Sequence, residues 1–347
     1  MDEELLCDFY FGDSRPGGIK PVDTSLLKNF KGMLRNRTVI GPWFWQSGVL
    51  GLLNKGYTDI ITPGETYCLS TWVLLLYARL RHRRVYLWTH GAYGDEKGLK
   101  KWMTKTRIQL STGAFLYGDY AKQVLVSYGV KKEKLHTIYN SLDYDTQMQM
   151  RTNLKPSPIY TNKFGNSNAN IVFIGRLTKV KKLNQILEAV ALLKDKEIGL
   201  NVTFVGDGSE KESLMEMSKT LGLERNVWFY GACYDENQIS SFIYNADVCV
   251  SPGNVGLTAM HAMAFGTPVI SHNNYPRQMP EFEAIVDGVT GTFFEEDNVV
   301  SLSEAIKKWL SINKDRDEIR KACYSVIDEK YNPHRQVQVM KNVIINK

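Results

Sequence analysis

Three groups of residues in this chain carry side chains suited to a charged, oxygen-rich ligand. The first is Gly175-Arg176-Leu177 followed by Lys181, two cations set beside a glycine. A glycine lets the backbone turn tightly toward a ligand. A guanidinium and an ammonium together suit a diphosphate, above all one that gains negative charge as a bond to it breaks. A solvated basic loop has the same composition, so the pair alone does not decide. The second group is Ser251-Pro252-Gly253-Asn254-Val255-Gly256-Leu257, directly before a helical stretch that runs to Phe265. Backbone N–H groups freed at a helix start form an anion site that the helix dipole reinforces. The third is scattered: His90-Gly91 after one apolar run, and Pro280-Glu281-Phe282-Glu283 after another. A lone histidine after a strand is more often structural, but a turn at a strand's carboxyl end is where α/β proteins bind ligands.

The elements needed to position these groups follow from hydrophobic periodicity. In the second half, strands are expected at 170–175, 201–205, 227–230, 248–250 and 268–271. They alternate with helices at 183–193, 210–221, 236–245 and 257–265. Such alternation means βαβ units on a parallel, doubly wound sheet. Two further helices are expected near 300–311 and 316–329, then an amphipathic stretch after Pro333. The first half alternates less cleanly, with strands expected at 59–62, 85–89, 114–117 and 135–139, and a buried helix from Cys68 to Ala78. The expected organisation is an N-terminal domain over 1–150, a Pro/Ser/Asn-rich linker over 151–168, a C-terminal domain over 169–332 and a C-terminal helix or tail over 333–347. The ligand site is then expected in the cleft between the two domains.

A chain of 347 residues suits two domains, and 43% hydrophobic with 23% charged residues is ordinary for a globular protein. The acidic opening Met1-Asp2-Glu3-Glu4 is unlike a secretory signal. Five scattered cysteines without a CxxC pair argue for reduced thiols in a cytoplasmic setting and against a zinc site. The net charge of +6 is uneven: nine Lys and Arg stand between Arg79 and Arg107. That run reads either as a solvated face or as a patch for anionic lipid or a phosphorylated acceptor. No recognised motif accompanies it, so nucleic acid is not an expected partner.

The succession GRLTKVK (175–181), VGDG (205–208), ADVCVSPGNVGLTAMHAMAFGTPVI (246–270) and DGVTGTFF (287–294) resembles the retaining glycosyltransferases of family 4, group 1, which have the GT-B fold. LWTHGAYG (87–94) and the Asn140–Asp143 turn extend a looser likeness into the first half. The resemblance implies an α/β protein of two Rossmann-like domains facing across a cleft. It implies sugar transfer from a nucleotide-sugar donor to a saccharide or lipid-linked acceptor, with retention. Gly175, Arg176 and Lys181 would hold the donor diphosphate; Gly253, Asn254, Gly256 and Leu257 would form the glycine loop, with backbone N–H groups from the last two. Gly206, Asp207 and Gly231 would lie near the nucleotide, and His90 would face the donor sugar.

Two departures qualify this. The family usually carries two glutamates eight positions apart, and the matching positions here are Gly253 and His261. His261 keeps a group able to bond a ribose hydroxyl, and Glu281 or Glu283 is expected to reach the sugar in place of the first. The family also opens with a strand and a glycine-rich loop. Here either Gly17-Gly18 stands in, or, the preferred reading, the first βα unit is absent and Leu5–Phe11 is the second strand, leaving a bare hydrophobic edge. No metal is expected, since no DxD cluster stands at a strand end. Trp43, Trp45, Trp72, Trp88 and Trp102 read mostly as core, with stacking on an acceptor sugar as their alternative. The leading expectation is a hexosyl- or N-acetylhexosaminyltransferase of surface polysaccharide synthesis. The alternatives are a different enzyme class on the same fold, such as a sugar-nucleotide epimerase or a phosphorylase, and a lapsed or shortened nucleotide-sugar-binding protein.

Overall fold

Two sheets build the first half of the chain in the computed structural model, which describes residues 1, 4–13, 23–312 and 315–345. In the smaller one, β1 (Phe9–Gly12) pairs in parallel with β2 (Phe30–Ile40), which turns back antiparallel into β3 (Trp43–Ser47). The larger one is wholly parallel, in the order β4 (Asp59–Pro63), β5 (Arg84–Thr89), β6 (Gly113–Leu116), β7 (Leu135–Thr137). Helices α1 (Leu69–Leu80), α2 (Gly98–Leu110) and α3 (Asp119–Ser127) make the crossovers.

Strand order that advances in one direction puts all right-handed crossovers on one face of a sheet. Accordingly Val85, Leu87, Ala114 and Leu116 pack with Leu74 and Leu75 of α1, Ile108 of α2 and Leu125 of α3. The alternate residues Tyr86 and Phe115 point the other way and need a separate cover. The last helix, α12 (Pro333–Ile344), supplies it: Met340 and Val343 pack on Tyr86, Phe115 and Ile138. Gln336 donates to the Tyr139 carbonyl at 2.7 Å, and Arg84 to that of Ile344 at 3.3 Å.

The chain therefore divides as Met1–Tyr139 with His334–Lys347, and Asn140–Pro333. This corrects three expectations. The break falls before the Asn140–Asp143 turn rather than after residue 150, and the helix expected after 333, α12, packs within the first unit rather than standing apart. The stretch 151–168 is also not a bare linker. It holds α5 (Ile159–Phe164), whose buried Tyr160 donates to the Phe242 carbonyl at 2.7 Å.

Leu5–Phe11 is not a second strand of the parallel sheet either. Its strand begins at Phe9 and joins the separate ribbon, whose Tyr10 and Leu34 pack against the core that includes Ile60 of β4. Phe44 of β3 bridges Cys68 beyond β4, while β4 itself pairs only with β5 among the described residues. The alternative Gly17-Gly18 loop lies outside the described residues. Helix α1 is half-buried rather than buried, with Leu74, Leu75 and Ala78 inside and the apolar Val73, Leu76 and Leu80 exposed.

In the second unit, α4 (Tyr144–Arg151) and α5 lead into a six-stranded parallel sheet. Its strands are β8 (Ala169–Ile174), β9 (Leu200–Val205), β10 (Val227–Gly231), β11 (Val248–Ser251), β12 (Val269–His272) and β13 (Gly291–Phe294). Their spatial order is β10-β9-β8-β11-β12-β13, the doubly wound arrangement. Helices α6 (Asn184–Lys194), α7 (Lys211–Thr220), α8 (Glu236–Asn245) and α9 (Leu257–Ala264) make the crossovers, and α10 (Val299–Leu310) and α11 (Arg316–Lys330) follow. Its core runs from Ile171, Phe173 and Phe204 on the sheet to Ile186, Leu187 and Ile306 on the helices.

Candidate functional site

The order of the second sheet reverses between β8 and β11, and a doubly wound sheet offers its crevice outside the carboxyl ends at that point. The two glycine-bearing groups emerge there. After β8 the chain passes so close to the loop after β9 that a Cβ on Gly206 would lie 1.9 Å from the Gly175 carbonyl oxygen. Leu177 is buried and anchors the turn, while Arg176 stays exposed. No hydrogen bond or ion pair engages the Arg176 side chain among the described residues.

Lys181 binds the glycine loop directly. Its Nζ donates to the Asn254 carbonyl at 2.7 Å and to Asn254 Oδ1 at 3.0 Å. The Gly253 N–H donates back to the Lys181 carbonyl at 3.0 Å. Burial pulls the Lys181 ammonium below its usual range, the nearby Arg176 charge adds to this, and Glu281 opposes it. The contact is so tight that a Cβ on Gly253 would stand 2.0 Å from the Val180 carbonyl oxygen. The position where the resemblance calls for a glutamate is thus closed to any side chain. Beyond the loop, Gly256 caps α9 and Leu257 begins it, where the first N–H groups have no intrahelical partner.

The remaining expected residues of this unit lie around the same sheet edge. Asp207, after β9, accepts from the Gly208 N–H at 2.8 Å and pairs with Lys211 at 3.2 Å. Gly231 closes β10, and its carbonyl accepts from the Gly206 N–H at 2.8 Å. His261 sits on α9 with Nε2 2.8 Å from Glu236 Oε1, and Gln147 donates to the same oxygen at 3.0 Å. Burial raises the Glu236 carboxyl, but these two bonds and the imidazole outweigh it and hold it below its usual range.

Glu281, in a 3₁₀ turn after β12, is 2% exposed. Its Oε1 accepts from Asn140 Nδ2 at 2.8 Å, while its buried Oε2 has no hydrogen-bond partner among the described residues. Glu283 is half-buried in the same turn. Asn140 and Glu236 were not among the expected site residues. The Asn-x-x-Asp turn is the only local signal for the first; the second joins His261 across 25 positions and leaves no local trace.

His90 belongs to the first unit, in the turn that follows β5. It lines a cavity of about 390 Å³ at the carboxyl ends of β4, β5 and β6, with Thr66, Trp88, Tyr93, Arg107 and Tyr117. Its ring centroid is 4.8 Å from that of Tyr117. The turn is held by the buried Glu96, which accepts from the Tyr93 and Gly94 N–H groups at 2.9 Å and from Tyr128 Oη at 2.9 Å. Those bonds more than offset burial and keep the Glu96 carboxyl below its usual range. Arg107 corrects the reading of the basic run. It is 2% exposed at the base of this cavity, not on a solvated face. Lys97, Lys100 and Lys101 are exposed, beside Leu99 and Trp102 at 70% and 58%. Of the five tryptophans in the first half, Trp88 lines the cavity and Trp72 donates to the Thr66 carbonyl at 3.0 Å.

Among the described residues no group of three or more His, Cys, Asp or Glu side chains is placed to hold a metal ion. No helix of the described residues is long and apolar enough to cross a membrane.

Residues 161–326 match the family model described as Glycosyl transferases group 1. A Klebsiella pneumoniae protein, the "Uncharacterized 41.2 kDa protein in cps region", is 27% identical over 67% of this chain and 63% of its own length. The putative glycosyltransferase EpsD of Bacillus subtilis is 32% identical over 35% of this chain and 31% of EpsD. The chain thus spans less than two thirds of these curated relatives.

Two solved structures superpose over nearly the whole chain. The lipopolysaccharide outer core galactosyltransferase WaaB gives a TM-score of 0.70 at 15% identity, covering 97% of this chain and 98% of WaaB. Anabaena Alr3699/HepE in complex with UDP gives 0.69 at 15% identity, covering 96% and 98%. At such identity the likeness is one of fold, and that fold is GT-B.

Proposed function

Because residues 161–326 match the glycosyl transferases group 1 model and the chain has the GT-B fold, we propose that it is a retaining glycosyltransferase. It moves a hexosyl or N-acetylhexosaminyl group from a nucleotide-sugar donor to a saccharide or lipid-linked acceptor in surface polysaccharide synthesis, on the cytoplasmic side of a membrane. The observation that carries this reading is the pair Arg176 and Lys181 at the sheet's switch point. One cation is exposed and unengaged, and the other is clamped to the glycine loop by Asn254. The UDP held by the Anabaena structure and the cps region that houses the Klebsiella relative support the same reading.

In this mechanism Arg176 and Lys181 neutralise the departing diphosphate, the role a metal plays elsewhere, and the first N–H groups of α9 at Gly256 and Leu257 meet its oxygens. Gly206, Asp207 and Gly231 border the nucleotide, and His261, oriented by Glu236, meets the ribose. Glu281 and its neighbour Glu283 supply negative charge near the sugar as its anomeric carbon becomes electron-poor. His90, in the first unit, is the residue that the resemblance assigns to the donor sugar. The test is a thermal-shift screen against UDP, GDP, CDP, TDP and ADP, with Arg176→Ala alongside. A nucleotide at about a hundred times its Kd adds roughly 2.7 kcal/mol, and the rise in Tm is expected for one base and to vanish in the variant. No rise with any nucleotide would end the reading. A rise without release of nucleotide from its sugar conjugate, with or without acceptors, would identify a lapsed binding protein instead.

The exposed Leu99 and Trp102 beside Lys97, Lys100 and Lys101 of the 79–107 region support a peripheral contact with the membrane that holds a lipid-linked acceptor. Apolar side chains enter the headgroup boundary, and each nearby cation adds about 1 kcal/mol on anionic lipid. Sedimentation with phosphatidylglycerol vesicles is expected at low salt and to be lost in Leu99→Ser/Trp102→Ser. Equal sedimentation of the variant would remove this contact.

A further inference from the structure

Arg107 is the least accommodated charge in the first unit. It projects from α2 into the base of the cavity beside His90, at 2% exposure. A buried guanidinium ordinarily has a carboxylate partner, because an unpaired buried charge is strongly unfavourable. Here no carboxylate oxygen lies within ion-pairing distance among the described residues. Its Nη1 donates to Thr66 Oγ1, a neutral group, and its buried Nε has no partner. Burial brings the guanidinium down to about 10 against the opposing pull of Glu65, which lines the same cavity, and leaves it charged at neutral pH. A second orphan lines the same cavity. The buried Trp88 Nε1–H donates to nothing.

Two N–H groups without a partner among the described residues, one of them charged, belong to residues that border a cavity of about 390 Å³ whose one lining carboxylate, Glu65, makes no ion pair with the guanidinium; a ligand oxyanion would supply the acceptor they lack. Aromatic faces border the same space at Tyr93 and Tyr117, which suits the apolar face of a sugar ring. We infer that this cavity binds a saccharide carrying an oxyanion, a carboxylate or a phosphate, with Arg107 taking the charge and Trp88 Nε1 a second oxygen. The anionic saccharide would be the acceptor in the transfer proposed above. That assignment rests on the transferase reading, whereas the binding itself does not. The guanidinium so becomes the specificity-determining group for an acidic acceptor over a neutral one.

The experiment is calorimetric titration of the full chain with methyl glucuronide, glucose 6-phosphate and neutral methyl glucoside, with UDP titrated separately. An anionic probe is expected to bind about ten- to a hundredfold tighter than methyl glucoside, the range of a charge-assisted hydrogen bond. The tighter of the two identifies the oxyanion. Arg107→Met, similar in volume and uncharged, is expected to abolish that preference while leaving UDP affinity unchanged. Trp88→Phe keeps the ring and removes the donor, and serves if the first variant does not fold; a severalfold loss confined to the anionic probe is expected.

Equal binding of all three probes, or a preference that survives both variants, would overturn the inference. UDP binding without any saccharide preference would overturn it and leave the transferase standing. Preference without UDP binding would uphold the cavity and count against the transferase. If neither UDP nor saccharide bound, both readings would fall.

Discussion

Replacing Glu281 by glutamine is expected to raise Tm and to lower turnover by about 10²–10³-fold, the cost of removing one group aimed at developing charge. The two halves of this expectation have one source. Glu281 is 2% exposed, with Oε1 fixed by Asn140 and Oε2 unpartnered. A buried carboxylate oxygen with no donor destabilises the fold by at least about 1–3 kcal/mol, and an amide reduces that burden. Sites that sacrifice stability in this way are commonly those where activity requires the strained group. Differential scanning calorimetry together with release of nucleotide from a sugar-nucleotide donor checks both halves. Unchanged turnover in the variant would make Glu281 a packing residue and shift attention to Glu283.

The second large effect is at Gly253. Installing the glutamate that resembling proteins carry, Gly253→Glu, is expected to damage the site rather than restore it. The added Cβ would stand 2.0 Å from the Val180 carbonyl oxygen and 2.8 Å from Lys181 Cα, both backbone atoms. Overpacking of this kind costs about 1–3 kcal/mol or more, which lowers Tm by about 2–4 °C per kcal/mol in a unit of this size. The forced shift also breaks the bond from Gly253 N–H to the Lys181 carbonyl, and with it the seating of Lys181 on Asn254. Thermal shift with the cognate nucleotide should therefore fall to zero. Gly253→Ala separates sterics from charge: the same losses from a single methyl would show that space, not the carboxylate, decides. Wild-type stability in either variant would mean the two loops can part freely.

The second unit was legible because a buried parallel sheet writes itself as continuous apolar runs. Asn170–Gly175 and Val248–Val250 have no other reading once helical periodicity is found between them. The ribbon β2–β3 escaped notice because Phe30–Ile40 is largely exposed and carries Lys31, Arg35 and Arg37 along its length. A half-wet hairpin with charges on its open face looks like a loop. Arg107 was misassigned for a different reason. A tally of charge along a segment ignores direction, whereas Thr104, Arg107 and Ile108 share the buried stripe of α2 at helical spacing. That spacing was available in the sequence and marks the arginine as inward. The links from Asn140 to Glu281 and from Glu236 to His261 join distant segments, so only folding brings them together.

The placement of α12 has a consequence for how the chain comes into being. The first sheet's helices all lie on the face of Val85 and Leu87, so the face carrying Tyr86 and Phe115 waits for Met340 and Val343. A ribosome adding about 5–20 residues per second leaves that aromatic face uncovered for roughly ten to forty seconds, the time to translate the contiguous second unit and α12. During synthesis the order of completion is thus inverted: the later half can close around its own core before the earlier half is finished. Nascent chains of this protein consequently present a sticky aromatic surface to chaperones, and emergence of α12 from the ribosome becomes the step that completes the first unit.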